Sequence, residues 1–314
     1  MDKIQFDNAI QKVINPLPGS IPASTTYRLA VKRKFEGLTI IEFFSQAVPR
    51  STPDIWIDKV NSGNLEVNGK KITVDYKVQG GDVAIHQSEP KVEPSVSSDI
   101  KLIYDDEEII VLQKPSPIPV HASGRFTRNS LINILSLAFP KQDLKLLHRI
   151  DANTTGVIVI AKNKVAANFI QQQFENKTIK KVYYALVEGI VKEDYLNLQQ
   201  SIGTEVLVGG ARKIDENGKI SQTEVEVLER RENETLLKVT PLTGRTNQIR
   251  LHLAELGHPI VGDFGHKDIN YFKNNPFTYP TDSLFLHAHQ ITIKHPTSKE
   301  EITFSAPIPE KFNS

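Results

Sequence analysis

The chain of 314 residues contains no cysteine, one methionine and one tryptophan. Without cysteine there is no disulfide framework, no thiolate nucleophile and no thiolate metal site, as is common in a reducing compartment. No apolar run approaches the ~18 residues that cross a bilayer, and the start MDKIQFDNAI lacks the basic and apolar regions of a signal peptide. We therefore expect a cytoplasmic protein with no membrane partner.

Several common motifs for catalysis and nucleotide binding are also missing. The sequence has neither G-x-x-x-x-G-K-[ST] nor G-x-G-x-x-G, the glycine-rich patterns that bind nucleotide phosphates. It has no G-x-S-x-G, the turn that carries the serine of many hydrolases. We predict that the protein uses no nucleotide cofactor, and a Ser-His-Asp hydrolase is disfavoured.

The charges are balanced overall but are unevenly distributed. The net charge is +1, from 38 basic and 37 acidic residues. The segment from Lys114 to Lys181, however, contains eleven basic residues and only three acidic ones. Such a basic block is typical of a cleft that follows the phosphates of a nucleic acid, although a solvated basic helix face gives the same count. The distribution favours the cleft.

Length and composition predict two domains, since a domain typically has about 150 residues and 39% of the residues are hydrophobic. Early prolines interrupt any long helix, and SEPKVEPSVSS is rich in proline and serine, as linkers are. Between them, LTIIEFFSQA and DIWIDKVNSG have helical spacing, and Asn68-Gly69 marks a hairpin. We predict an N-terminal extension, a small α/β module, a linker and a larger domain, at residues 1–35, 36–87, 88–98 and 99–314.

The larger domain interleaves predicted strands and helices without the regular alternation of a parallel sheet. We therefore predict an α+β fold with a mixed, largely antiparallel sheet. In KKVYYALVEG the two-residue period sends Tyr183 and Tyr184 to opposite faces of one strand. RTNQIRLHLAELG is predicted to form a helix that is capped by Thr246 and ends at Gly257.

One carboxylate lies inside the basic block, in HRIDANTTGVIVIAK. Asp151 precedes a turn and then the apolar run Val157 to Ala161, which is typical of a buried strand. A loop fixed by a buried strand is a common place for catalysis, but Asp before a turn is also ordinary turn chemistry. Arg245 and Arg250 could offer guanidinium groups to this carboxylate or to phosphates. An ordinary Arg–Asp ion pair remains the alternative.

The nine histidines raise the question of a metal site. His287 and His289 alternate on a predicted strand and could share a face. No third ligand is specified by the spacing, and structural histidines are commoner than metal sites. We predict no metal, with a metal-dependent hydrolase as a minor alternative.

Five blocks, in order and at characteristic distances, resemble the RluA-type family of RNA pseudouridine synthases. Three are HRIDANTTGVIVIAK, KKVYYALVEG and LTGRTNQIRLHLAELGHPIVGD, preceded by LIYDDEEIIVLQKPSPIPVHASG and followed by LFLHAHQITIKHP. Together they cover residues 100–307. The resemblance implies a pseudouridine synthase fold and an enzyme that converts specific uridines in ribosomal or transfer RNA to pseudouridine without a cofactor. The alternative is a non-catalytic RNA-binding or RNA-chaperone protein that retains the fold.

The resemblance also implies roles for individual residues. Asp151 would be the nucleophile, Tyr183 would stack on the target uracil, and Arg250 would pair with the Asp151 carboxylate. Arg149 would help to hold the target nucleotide out of the helix, and Asn247 stands where the family usually has His. The predicted RNA-binding residues are Arg149, His148, Lys181, Arg245, Asn247 and Arg125. We expect a monomer whose partner is RNA.

The front module resembles the small RNA-binding domain first seen in ribosomal protein S-four. The resemblance rests on NSGNLEVNGKKITVDYKVQGGDVAIH and the two preceding helices. Such modules usually bind RNA through Arg and Lys on those helices, whereas these helices carry Glu42, Asp54 and Asp58. The resemblance implies an RNA-binding-like module, and a structural role is the alternative.

Overall fold

The structure is a computed structural model, and it describes residues 1–49, 51–205, 212–267 and 283–313. The chain forms two compact units. The smaller one comprises residues 19–93, and the larger one combines residues 1–18 with the chain from residue 94 onward. The predicted 1–35 extension is therefore divided between them. Residues 1–18 join the larger unit because Phe6 and Ile10 are buried in its core.

Helices and strands alternate irregularly along the described residues. The α-helices are α1 Lys3–Ile14, α2 Ile40–Ala47, α3 Pro53–Asn61, α4 Leu131–Ala138, α5 Lys164–Glu175, α6 Gln248–Glu255 and α7 Phe264–Lys267. The first strands are β1 Thr26–Ala30, β2 Leu65–Val67, β3 Lys70–Lys71, β4 Val83–Gln87, β5 Lys101–Asp105, β6 Ile109–Lys114 and β7 Lys145–Leu146. The others are β8 Thr155–Ala161, β9 Lys180–Glu188, β10 Tyr195–Leu198, β11 Thr223–Arg230, β12 Glu234–Pro241, β13 Leu286–Lys294 and β14 Glu301–Ser305. No helix in these ranges combines the length and the apolarity of a membrane span.

The smaller unit packs two short helices on a four-stranded sheet of order β1-β4-β2-β3. Helix α2 begins with a capping box, in which Thr39 and Glu42 satisfy each other's backbone N–H groups. Phe44 of α2 stacks on Trp56 of α3 at 4.1 Å between ring centroids. Asn68 and Gly69 form the turn that connects β2 to β3. Both have positive φ, which a two-residue hairpin turn of this kind requires at both positions. The predicted helices and hairpin are confirmed.

The larger unit is built on a ten-stranded mixed sheet. Its order is β10-β11-β12-β9-β13-β8-β6-β5, with β14 paired to β13 and β7 to β8. The pair β13–β8 is parallel, and the other pairs in this sheet are antiparallel. The predicted α+β fold with a largely antiparallel sheet is confirmed. All seven residues of β8 are buried, as the apolar run predicted.

The parallel pairing of β8 depends on a glycine. Gly156 has φ +122°, and a Cβ at this position would lie 2.1 Å from the backbone oxygen of Ala288 in β13. Any side chain would therefore push the two strands apart. Because Gly156 follows Asp151 by five residues, this close approach fixes one end of the loop that carries Asp151.

Two hydrophobic clusters meet at the middle of the sheet. One surrounds β6 and β8 and includes buried residues of α1, α4 and α5. The other surrounds β9 and β12 and includes buried residues of α6. The side chain of Tyr183 packs against both clusters. The loop before β8 and the start of α6 are thereby brought to the same part of the sheet.

The predicted start of α6 was wrong. The N-cap is Asn247, not Thr246, and its φ of 57° is left-handed, a conformation that Asn tolerates better than most residues. No side chain caps the helix; Gln248 Oε1 instead accepts hydrogen bonds from the backbone N–H of Arg245 and the Thr243 hydroxyl, which hold the segment before the helix. The predicted end is confirmed, since Gly257 follows the C-cap residue with φ +88°.

Candidate active site

The loop that carries Asp151 is held by hydrogen bonds from a buried lysine. The backbone N–H of Thr154 donates to the Asp151 carbonyl at 3.1 Å, closing the turn. The fully buried Lys114 donates from Nζ to the carbonyls of Pro115, Ile118 and Ala152 at 2.8, 2.9 and 3.0 Å. One of these carbonyls belongs to the residue directly after Asp151. The backbone beneath the carboxylate is therefore held in one conformation.

The two oxygens of the Asp151 carboxylate have different surroundings. Oδ2 accepts hydrogen bonds from Arg250 Nη1 at 2.9 Å and from Asn247 Nδ2 at 3.0 Å. Within the described part of the chain, no donor reaches Oδ1. The side chain is 23% exposed. One oxygen is thus anchored while the other remains available to a bound molecule.

Asn247 occupies the position at which the resemblance leads one to expect His. Its left-handed backbone turns the side chain so that Nδ2 reaches Asp151. Its Oδ1 is buried and accepts no hydrogen bond from the described residues. Asn247 therefore supplies a neutral donor to the carboxylate, which a side-chain amide does at any pH.

Arg250 is held by a second carboxylate, which the sequence reasoning missed. Its Nε and Nη2 donate to Oδ2 and Oδ1 of Asp263, each at 2.7 Å. Burial favours the neutral form of Arg250, but Asp263 and Asp151 raise its pKa above the ordinary value. Burial likewise opposes ionisation of Asp263, yet the hydrogen bonds and charge of Arg250 hold the pKa of that carboxyl well below its usual range. Both groups are charged at neutral pH.

Tyr183 and Tyr184 face opposite sides of β9, as the alternation predicted. Tyr183 faces Asp151, and burial together with the negative charge of Asp151 raises the pKa of its hydroxyl. Tyr184 stacks on His289 at 4.7 Å on the other face of the sheet. Tyr183 is thus a neutral phenol ring beside the carboxylate.

A cavity of about 270 Å³ opens above Asp151. Eight of the predicted site residues line it: His148, Arg149, Asp151, Lys181, Tyr183, Arg245, Asn247 and Arg250. Arg125 does not; its side chain is exposed on the loop that follows His121. Residues that line the cavity but were not predicted include Thr154, Phe174 and Gln248. Positions almost 100 residues apart in sequence are therefore brought to one site.

The cavity has more positive than negative charge. Arg149, Lys181 and Arg245 line it in addition to Arg250, whose charge is compensated by Asp263. Burial lowers the pKa of Lys181. Burial, together with the charge of Lys181, lowers the pKa of His148 to about 3, and its Nε2 accepts a hydrogen bond from the Val159 N–H at 3.0 Å. His148 is therefore neutral, and the cavity suits a polyanion with an aromatic ring.

The histidine pair on β13 has other partners. Nδ1 of His287 bonds the Thr155 hydroxyl at 2.8 Å, and Nδ1 of His289 bonds the Ala306 carbonyl at 2.9 Å. In the part of the chain that the structure describes, no group of three or more His, Asp or Glu side chains is arranged to hold a metal ion. These histidines join β13 to β8 and to the segment after β14.

Comparison with known proteins gives the family. Residues 108–255 match the sequence profile of RNA pseudouridylate synthases. The ribosomal large subunit pseudouridine synthase C of Vibrio parahaemolyticus is 34% identical over 265 residues, which cover 81% of this chain and 84% of that protein. The chain belongs to the RNA pseudouridine synthase family. Buchnera aphidicola has a synthase of the same name that is 31% identical over 310 residues, covering 93% of this chain and 96% of that protein.

Solved structures agree with this membership. Human RNA Pseudouridylate Synthase Domain Containing 1 is 28% identical and superimposes with a TM-score of 0.55, covering 68% of this chain and 86% of that one. The predicted RluA-type resemblance is confirmed. This pseudouridine synthase is an isomerase that converts uridine in RNA to pseudouridine, and the alternative of a non-catalytic protein with the same fold is disfavoured.

Proposed function

We propose that this pseudouridine synthase modifies uridines in the RNA of the large ribosomal subunit and that Asp151 is its nucleophile. The role of Asp151 as nucleophile is supported by the different surroundings of its two carboxylate oxygens. Arg250 and Asn247 hold Oδ2, while Oδ1 opens to a cavity lined by an aromatic ring. The ribosomal substrate is supported by the curated relatives, which are named ribosomal large subunit pseudouridine synthases. Transfer RNA is the alternative substrate.

In the reaction, the bond from N1 of uracil to C1′ of the ribose breaks, the base rotates, and C5 bonds to C1′. The proton on C5 is lost and N1 regains one, so that atoms and electrons balance without an oxidant or an external energy source. An ionised carboxylate beside the sugar supports this exchange by covalent attack. Arg250 orients the Asp151 carboxylate, since its Nη1 places a positive charge 2.9 Å from Oδ2.

Tyr183 receives the uracil. Taking a base out of its stack costs a few kcal/mol, and stacking on an aromatic side chain returns about 1–3 kcal/mol. The ring is uncharged and is packed between the two hydrophobic clusters. It can therefore act as a rigid platform beside Asp151.

The cationic residues bind the backbone of the RNA. Arg149 is exposed at the cavity and can hold the target nucleotide out of its helix, while Lys181 and Arg245 line the cavity wall. Arg125, which is exposed outside the cavity, can extend the contact along the strand. His148 and Asn247 bind as neutral groups. We further propose a monomer that works in the cytoplasm without a nucleotide cofactor, since the sequence has no glycine-rich pattern that binds nucleotide phosphates.

The test is the variant Asp151→Asn, which keeps the shape of the side chain and removes its charge. Transcripts of large-subunit ribosomal RNA and of transfer RNA carry tritium at C5 of uridine, and release of tritium reports isomerisation. We expect no release by the variant, with RNA binding nearly unchanged. The matched control is Asp143→Asn, in the same basic block, because Asp143 is exposed and pairs with Lys145. Substantial release by Asp151→Asn contradicts the mechanism, and release from transfer RNA alone contradicts the substrate.

A further inference from the structure

The guanidinium group of Arg250 bridges two carboxylates in different ways. Asp263 accepts from Nε and Nη2, the two parallel donors that form the fork of arginine, both at 2.7 Å. Asp151 accepts only from Nη1, at 2.9 Å, through Oδ2. The stronger, two-pronged contact is therefore made to the residue that does not line the cavity, and the single contact to the residue that does.

This division has a chemical consequence for Asp151. Arginine and carboxylate groups prefer the two-pronged arrangement, which occupies both oxygens of the carboxylate. If Asp263 were absent, the fork of Arg250 would be free to turn towards Asp151 and to occupy Oδ1 as well as Oδ2. Together the three charged groups carry one net negative charge, so that Arg250 does not neutralise Asp151 completely.

We propose that Asp263 is a positioning residue for catalysis. It turns the guanidinium of Arg250 so that Oδ2 of Asp151 is held and Oδ1 is left for the target uridine. The inference rests on the proposed role of Asp151, and it concerns a residue that touches neither Asp151 nor the cavity.

The surroundings of Asp263 keep its carboxylate in place. Its side chain is 1% exposed, and its Oδ1 also bonds Nδ1 of His266 at 3.1 Å. The preceding Gly262 has φ +78°, and a Cβ there would lie 1.8 Å from the Ser283 carbonyl oxygen. The backbone before Asp263 is therefore pressed against a neighbouring segment. A carboxylate held this firmly can fix the direction of Arg250.

The first test is Asp263→Asn, an isosteric change that removes the charge and one acceptor of the fork. Single-turnover tritium release is measured with enzyme in excess, beside the Kd for the same RNA. Loss of a side chain that orients a metal ligand typically lowers activity about 10- to 100-fold, and we take the same range for a side chain that orients Arg250. We expect a loss of this size in the rate with Kd unchanged within about twofold, because Asp263 does not line the cavity. Asp263→Glu keeps the charge needed for folding but displaces the fork, and we expect its rate to fall as well.

The matched control is Asp106→Asn. Asp106 also has a histidine partner, since it bonds Nε2 of His295 at 2.7 Å and the Tyr104 hydroxyl at 2.9 Å, and although its side chain is more exposed than that of Asp263 it lies outside the cavity. We expect this variant to lower the melting temperature and to keep the wild-type rate. Equal rate losses in Asp106→Asn and Asp263→Asn overturn the inference, because both would then reflect loss of structure.

A second test asks whether Asp263 acts through Arg250. Lysine has a single ammonium group and no fork, so Arg250→Lys removes the feature that Asp263 directs. In that background, Asp263→Asn should change the rate by less than about threefold, whereas independent effects would multiply. The same loss in both backgrounds overturns the inference. A wild-type rate in both Asp263 variants overturns it while the proposed function stands. A wild-type enzyme that releases no tritium from any RNA overturns both.

Discussion

Replacing Lys114 by Met should destabilise the larger unit and loosen the Asp151 loop. The Lys114 side chain is fully buried, and its Nζ donates to three backbone carbonyls at 2.8–3.0 Å. Methionine has a similar length and no donor. The substitution therefore removes three hydrogen bonds from a charged group and leaves the carbonyl oxygens of Pro115, Ile118 and Ala152 without this donor.

Two effects of opposite sign decide how much the substitution of Lys114 changes the free energy of unfolding. The folded state no longer has to bury an ammonium group, which favours the variant. Against this, each carbonyl that loses its partner costs about 1–3 kcal/mol if it stays dry. The Ala152 carbonyl keeps the Ile118 N–H as a donor at 3.0 Å, so the loss falls on the Pro115 and Ile118 carbonyls and is about 2–6 kcal/mol in total. We expect the loss of the hydrogen bonds to outweigh the gain from no longer burying a charge, because the methionine side chain donates no hydrogen bond to the carbonyl oxygens.

The assay is thermal unfolding of wild type and variant. A loss of about 2–6 kcal/mol, at about 2–4 °C for each kcal/mol in a unit of this size, should lower the melting temperature by roughly 4–24 °C. Lys101→Met is the control, since Lys101 is 51% exposed and pairs with the exposed Asp99, and its change should stay within about 0.5 kcal/mol. A variant of Lys114 that melts within 2 °C of wild type would refute the reasoning.

Two further predictions concern RNA binding and pH. Lys181→Gln should lower the slope of log Kd against log salt by about 0.7–0.9, the effect of one phosphate contact, as measured by RNA titration at several salt concentrations; an unchanged slope argues against that contact. His148 has a pKa of about 3 in the folded state, compared with the ordinary value of 6.5. Below pH 6.5 the unfolded chain therefore binds a proton at His148 that the folded chain does not bind. The stability that His148 contributes is therefore complete above pH 6.5 and is lost as the pH falls towards 3. The melting temperature of wild type should then decrease more steeply on acidification than that of His148→Gln, and parallel curves contradict this.

Local sequence patterns were sufficient for much of the fold and for part of the site. The apolar run Val157 to Ala161 predicted the buried strand β8, because five consecutive apolar residues have no solvent-facing side. The alternation in KKVYYALVEG predicted that Tyr183 and Tyr184 point to opposite faces. In both cases the signal lies within ten residues, so that it can be read without knowing the neighbouring elements.

The missed features depend on contacts that the spacing of residue types does not show. Asp263 follows a glycine in GHPIVGD, and nothing in this motif shows that it pairs with Arg250 of α6. The start of α6 was misplaced because Asn247 takes the left-handed backbone conformation and becomes the N-cap without a side-chain cap, which the residue types do not show. Residues 1–18 could not be placed by pattern alone, since an amphipathic helix does not specify which core buries Phe6.

Strand β13 lies between β8 and β9 in the order of the sheet. Asp151 lies on the loop before β8, and Tyr183 lies on β9, so the two sides of the cavity meet across a strand that begins at Leu286 and is therefore translated more than 100 residues after either of them. During synthesis, a nascent chain that already contains Asp151, Tyr183 and Arg250 still lacks the strand that joins them. Assembly of the site is thereby postponed until β13 has been translated.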